Sequence, residues 1–183
     1  MTLKIPRTKM TSNGVMTLLD ETHTEALEKT DRLYELLTKL RYEGKFLFGR
    51  NLKEVRTLLR FFHQKLSGRM RSEERLLFPF LEVHVPKVAP VLRLLRSGGE
   101  DFRRNLRALH TFLGKLARTR TNHDYAEAVD QVIGTGTYLV YLVRHYIRLE
   151  RKSISKVIQK ELRADERAAL NKRFARRRFL TYA

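Results

Sequence analysis

The stretch MRSEERLLFP at positions 70–79 decides the fold, because a near match, RHYIRLER, stands at positions 144–151. Each stretch carries a glutamate: Glu74 stands four residues after Met70, and Glu150 stands four residues after Tyr146. Residues four positions apart lie on one face of an α-helix. Helical bundles build two-metal sites by directing glutamates inward from separate helices. The two stretches therefore predict a helical bundle with a polar centre.

Helical periodicity continues on both sides of these stretches, and no strand alternation is evident. Pro79 is expected to bend or end its helix, and the run Ser97-Gly98-Gly99 to loosen another. Four long helices with short connections favour an all-α, up-down-up-down four-helix bundle. A short basic helix is predicted to follow them. The predicted helices cover residues 15–41, 52–82, 87–118, 124–160 and 162–180.

The same pattern divides the chain into three parts. Residues 1–14 form a basic amino-terminal arm, 15–160 the bundle, and 161–183 a basic carboxyl-terminal helix or tail. The arm lacks the long apolar stretch of a signal peptide, and the longest apolar run, near 138–143, is too short to cross a bilayer. We therefore expect a cytoplasmic protein.

Composition restricts the chemistry of any metal site. The 183 residues include no cysteine, which excludes disulfides, thiolate metal sites and cysteine nucleophiles. A metal would be held by histidine, carboxylate, tyrosine or backbone oxygen. Such ligands favour iron or manganese over a structural zinc.

The formal net charge of +18 is large. Residues 161–183 contain seven basic and three acidic side chains, so they account for only +4 of it. Most of the excess therefore lies on the body of the protein. It predicts either a well-solvated surface or an anionic partner, namely nucleic acid, acidic lipid or an acidic protein.

Over residues 15–160 the chain resembles the hemerythrin-like (HHE cation-binding) domain family. That resemblance implies a four-helix bundle around a dinuclear non-haem iron centre. The family places a histidine on the first helix, a His-x3-Glu pair on the second, a histidine on the third and a His-x3-Glu pair on the fourth. The pair on the second helix is usually followed by Leu-Phe-Pro, which here is Leu77-Phe78-Pro79. The third-helix histidine usually follows a glutamate, which here is Glu100.

Carried over position by position, the resemblance implies five metal ligands, with the two glutamates as bridges. Met70, Asp101 and Tyr146 stand where the family has histidine. A shift of one residue would replace Tyr146 by His145. The implied cofactor is two iron ions, with manganese or no metal as alternatives. The implied ligands are His23, Glu74, Asp101, Tyr146 and Glu150.

Three functional interpretations remain open from the sequence. A dinuclear site rich in oxygen ligands would handle or sense dioxygen, peroxide or nitric oxide, with a preference for the oxidised metal. A metal-free bundle, in which Glu74 and Glu150 pair with His23, Arg144 or Arg148, would act as a basic binding module. A redesigned site would make Tyr146 chemically active. The sequence assigns no catalytic residue and leaves the oligomeric state and any enzymatic activity open.

Overall fold

The chain folds into five helices in a computed structural model, which describes residues 14–42, 48–119 and 122–178. A 3-10 turn, Pro86–Val88, connects the second helix to the third. The predicted amino-terminal arm lies, apart from Gly14, outside the described residues. The helices are α1 (Gly14–Tyr42), α2 (residues 48–84), α3 (Ala89–Leu116), α4 (residues 122–160) and α5 (Ala164–Arg178).

Cross-helix ion pairs show how the four long helices are arranged. Helix α1 packs against α2 and α4, and α3 packs against the same two. Arg32 pairs with Glu54 and Glu25 with Lys65, so α1 and α2 run in opposite directions. Ion pairs between α1 and α4 and between α2 and α3 show that these two pairs of helices are antiparallel as well. The predicted all-α, up-down-up-down four-helix bundle is confirmed.

The core follows the predicted apolar rows. Along α1 the buried positions recur every three or four residues from Leu19 to Leu40, and α3 buries a similar row from Leu92 to Leu116. Burying an apolar side chain of this size stabilises the fold by about 1.5–3 kcal/mol. Leu170 of α5 is also buried, and Phe174 packs partly against the core, so this basic helix docks on the bundle.

Helix α2 differs from the prediction in two ways. Pro79 does not end it: the helix continues to His84, two residues beyond the predicted end at 82, and a π-turn at Glu73–Leu77 widens it just before the proline. Its buried row also changes step, passing from Met70 to Glu73 rather than to Glu74. Residues four apart on an α-helix are displaced by about 40° around its axis, so a row of every fourth residue gradually leaves the buried face. A step of three residues returns the row to that face.

Helix α3 is continuous through Ser97-Gly98-Gly99, so the expected loosening there is wrong. Gly99 instead allows close approach by α2, whereas a Cβ at Gly98 would make only an ordinary contact with α4. A Cβ at Gly98 would lie 3.6 Å from Cδ2 of Tyr146, and one at Gly99 only 2.7 Å from Oε1 of Glu74. Among the described helices, none is both long and apolar enough to cross a membrane.

Candidate functional site

Five polar side chains from three helices meet inside the bundle. We call them the central polar cluster: His23 of α1, Arg69 and Glu73 of α2, and Tyr146 and Glu150 of α4. The side chains of His23, Glu73 and Glu150 are 0% exposed, and Tyr146 is 3% exposed. Buried ionisable groups are costly unless they are paired, so the contacts within the cluster determine what it can do.

The guanidinium of Arg69 lies between the two carboxylates. Its Nε–H donates to Oε1 of Glu73, and its Nη2 donates to Oε2 of Glu150 at 2.9 Å. The same Nη2 lies 2.7 Å from Nε2 of His23. One positive group therefore contacts an acidic side chain from each of two helices and the histidine of a third.

The remaining contacts hold the carboxylates in place. The hydroxyl of Tyr146 donates to Oε2 of Glu73 at 2.9 Å, so both oxygens of this glutamate are occupied. Nε2 of His23 lies 2.8 Å from Oε2 of Glu150. Three buried atoms of the cluster have no hydrogen-bond partner among the described residues: Nδ1 of His23, Nη1 of Arg69 and Oε1 of Glu150.

Burial dominates the electrostatics of the cluster. It raises the pKa of Glu73 to about 7, against the opposing charge of Arg69, and it also raises the pKa of Glu150. Burial, together with the nearby Arg69 charge, lowers the pKa of His23 to about 3, so this imidazole is neutral. The His23–Glu150 contact is therefore a hydrogen bond rather than an ion pair at neutral pH.

The other two groups keep their ordinary protonation. Burial raises the pKa of the Tyr146 hydroxyl, so it remains a donor. Burial lowers the pKa of the Arg69 guanidinium, but the charges of Glu73 and Glu150 outweigh it and raise this pKa overall. The cluster thus holds one permanent cation against two carboxyl groups whose ionisation is suppressed.

The structure brings together three of the five implied ligands, His23, Tyr146 and Glu150. Tyr146 rather than His145 faces inward, because His145 is exposed and stacks on Tyr141 with ring centroids 5.7 Å apart. The buried Tyr146 therefore occupies the place of the family's histidine on the fourth helix, and the one-residue shift that would put His145 there does not occur.

The other two implied ligands lie elsewhere. Glu74 faces α3, where its Oε1 accepts from Nη1 of Arg103 at 2.9 Å. The Asp101 side chain is 33% exposed and accepts from Arg104 on its own helix. No hydrogen bond or ion pair within the described part of the chain joins either carboxylate to the central polar cluster.

Arg69 and Glu73 occupy the cluster without having been predicted to do so. Arg69-x3-Glu73 repeats the spacing of Tyr146-x3-Glu150, displaced by one residue from Met70-x3-Glu74. The doublet Glu73-Glu74 offered both registers, and only the change of step in the buried row distinguishes them. Met70 is itself fully buried among apolar neighbours.

These donors do not fit a two-metal centre. The guanidinium of Arg69 occupies hydrogen-bonding distance of both carboxylates and of the histidine, where a cation would have to lie. Within the described residues, no group of three or more His, Asp or Glu side chains is arranged to hold a metal ion. At this depth α3 presents Gly98 to Tyr146.

Comparison with known proteins identifies the domain. A family model described as the hemerythrin HHE cation binding domain matches residues 15–158. No curated protein and no solved structure gives a significant match.

Proposed function

This chain belongs to the hemerythrin HHE cation-binding domain family, and we propose that within it the chain is a metal-independent binding module for an anionic partner. One observation carries the proposal: the Arg69 guanidinium pairs with Glu73 and Glu150 in the centre of the bundle. Arginine is always charged in proteins. It supplies permanently the positive charge that these buried carboxylates require.

The cluster then has a structural role. Arg69, His23 and Tyr146 connect three helices through the two carboxylates, so the centre of the bundle is held by hydrogen bonds. Charge-assisted hydrogen bonds of this kind are about twice as strong as neutral ones. Function is left to the surface, and the net charge of +18 favours partners that carry negative charge.

A second candidate function keeps the chemistry of the family: a non-haem iron or manganese protein that handles or senses dioxygen, peroxide or nitric oxide. It draws support from Nδ1 of His23 and Oε1 of Glu150, two ligand-type atoms without a partner among the described residues. This function requires Arg69 to leave the cluster and expose two buried carboxylates to the metal.

Thermal unfolding with and without metal separates the two candidates. A metal that binds only the folded state, at one hundred times its dissociation constant, stabilises it by about 2.7 kcal/mol. For a chain of this length that corresponds to a rise of roughly 5–11 °C in the unfolding midpoint. We expect the same midpoint in EDTA and in excess ferrous or manganous ion under nitrogen.

Retention on a heparin column tests the binding function in the same samples. We expect elution at a salt concentration that EDTA and ferrous ion leave unchanged. A metal-dependent rise in the unfolding midpoint that disappears in Glu150→Gln would contradict the metal-independent proposal. A protein that passes through the column at low salt would contradict the binding function.

A further inference from the structure

The outward face of α2 carries a row of basic side chains without an acidic one. All five members are exposed. Three stand before Gln64 and Gly68 and two after them, and together with these two residues they form a row with intervals of three or four residues. Residues at these intervals share one face of a helix. We call this row the basic stripe: Lys53, Arg56, Arg60, Arg71 and Arg75.

Every glutamate of α2 is engaged away from the basic stripe. Glu54 accepts from Arg32 of α1, and Glu73 is buried in the central polar cluster. Glu74 and Glu82 pair with arginines of α3. No member of the stripe forms an ion pair with another described residue, so its charge is not compensated by the residues around it.

The charge of the bundle is unevenly distributed between its helices. Helices α2 and α3, which are neighbours, together contain fourteen basic and six acidic residues. Helices α1 and α4 contain ten of each. On α3, Arg93 and Arg107 are exposed and likewise lack an ion pair within the described residues. The side of the bundle formed by α2 and α3 is therefore the positive one.

We propose that the basic stripe binds the phosphate backbone of double-stranded nucleic acid, an inference that rests on the proposed binding function. Four of its five members are arginines, whose planar fork of donors matches phosphate oxygens in pairs. From Lys53 to Arg75 the helix rises roughly 33 Å. That is close to one turn of a DNA duplex, about 34 Å.

The composition of the stripe disfavours the other anionic partners. A helix that binds a membrane surface buries an apolar face among the lipids. Among the α2 side chains that the structure describes, the one large apolar residue that is exposed is Val83, which lies beyond the carboxyl-terminal end of the stripe. A protein partner would need a central apolar or aromatic anchor, which the stripe lacks. Contacts to phosphates alone carry no sequence information, so binding is independent of sequence.

Fluorescence anisotropy with a labelled 20-base-pair DNA duplex, over a range of salt concentrations, tests the proposal on the full chain. Each phosphate contact contributes about −0.9 to the slope of log K against log salt. The triple variant Arg56→Ala, Arg60→Ala, Arg71→Ala should reduce that slope by about 3 and weaken binding at least tenfold at roughly 0.1 M salt. Circular dichroism verifies that it folds.

Two matched triple variants locate the site. Lys29→Ala, Lys39→Ala, Arg148→Ala removes the same charge from α1 and α4 and should weaken binding less than about threefold. Lys152→Ala, Lys156→Ala, Lys160→Ala tests the basic end of α4. If either control loses as much affinity and slope as the stripe variant, the assignment to α2 is overturned.

Vesicles containing phosphatidylserine and a polyglutamate peptide distinguish failure of this inference from failure of the function. Binding to vesicles or to the peptide, without binding to the duplex, overturns the nucleic-acid assignment and leaves the proposed binding function standing. Binding to none of the three overturns both.

Discussion

Replacing Arg69 by methionine should destabilise the fold strongly, and by an amount that depends on pH. The guanidinium is the group that neutralises Glu73 and Glu150, both of which are 0% exposed. Removing one partner of a buried ion pair costs about 3–5 kcal/mol. Since one arginine serves two carboxylates, we expect a loss near the upper end of that range at pH 8, above the pKa of Glu73.

At pH 5 the loss should be smaller. Glu73, whose pKa is about 7 in the folded chain, then already holds a proton, and the pKa of Glu150 is raised as well. With Glu73 neutral, the missing guanidinium leaves less charge uncompensated. The difference between the losses at the two pH values should therefore amount to about 1–3 kcal/mol.

Urea unfolding followed by far-ultraviolet circular dichroism, at pH 5 and pH 8, measures both quantities. Arg71→Met is the matched control, because Arg71 is exposed on the same helix and its replacement should change the unfolding free energy by less than about 0.5 kcal/mol. Adding Glu73→Gln and Glu150→Gln to Arg69→Met should restore much of the loss. A loss below about 1 kcal/mol at pH 8 would refute the reasoning.

Three further predictions follow from single contacts. The folded chain holds an extra proton on Glu73 between pH 4.5 and about 7, which stabilises it at low pH and is lost as pH rises. The unfolding free energy of Glu73→Gln, measured by urea titration, should therefore rise relative to that of the wild type by up to about 3 kcal/mol between pH 4.5 and 8. A difference between the two proteins that is constant with pH would contradict this. Tyr146→Phe leaves Oε2 of Glu73 without its donor and should lower the unfolding free energy at pH 8 by about 1–3 kcal/mol, whereas no change would mean that this hydrogen bond contributes nothing. A Cβ at Gly136 would lie 2.6 Å from Cδ1 of Leu37, whereas one at Gly134 meets nothing within 4 Å. Gly134→Ala should therefore raise the free energy of unfolding, measured by thermal denaturation, by up to about 1 kcal/mol, whereas Gly136→Ala should not raise it. Equal effects of the two substitutions would refute the packing account.

The sequence predicts the bundle well because its apolar rows are long and regular. The rows of α1, α3 and α4 face the core as periodicity indicates, and His23, Tyr146 and Glu150 fall within them. Each of these three polar side chains is placed by the same spacing that places its apolar neighbours, so their meeting in the interior follows from the rows alone.

The second helix is where periodicity alone was insufficient. A row of every fourth residue through Met70 leads to Glu74. Such a row moves gradually around the helix, which also contains π-turns, and the structure buries Glu73 instead. Arg69 was missed for a related reason, since a charged side chain is expected at the surface unless its partners are known. Its burial depends on two carboxylates from different helices, which only the packed structure brings together.

The α3 glycines show the same limit in another form. A Ser-Gly-Gly run weakens an isolated helix, yet α3, packed against α2 and α4, passes through it without a break. Local propensity describes the chain before packing, and the contacts that outweigh it here come from two other helices.

Iron stoichiometry, measured side by side on the wild type and on Arg69→His, tests the central claim most directly. The substitution removes the guanidinium and creates the His-x3-Glu spacing with Glu73, so it exchanges a competing cation for a ligand. After anaerobic dialysis against ferrous ion, elemental analysis should find bound iron in the variant and no stoichiometric iron in the wild type. Nearly two iron ions per wild-type chain would contradict the account.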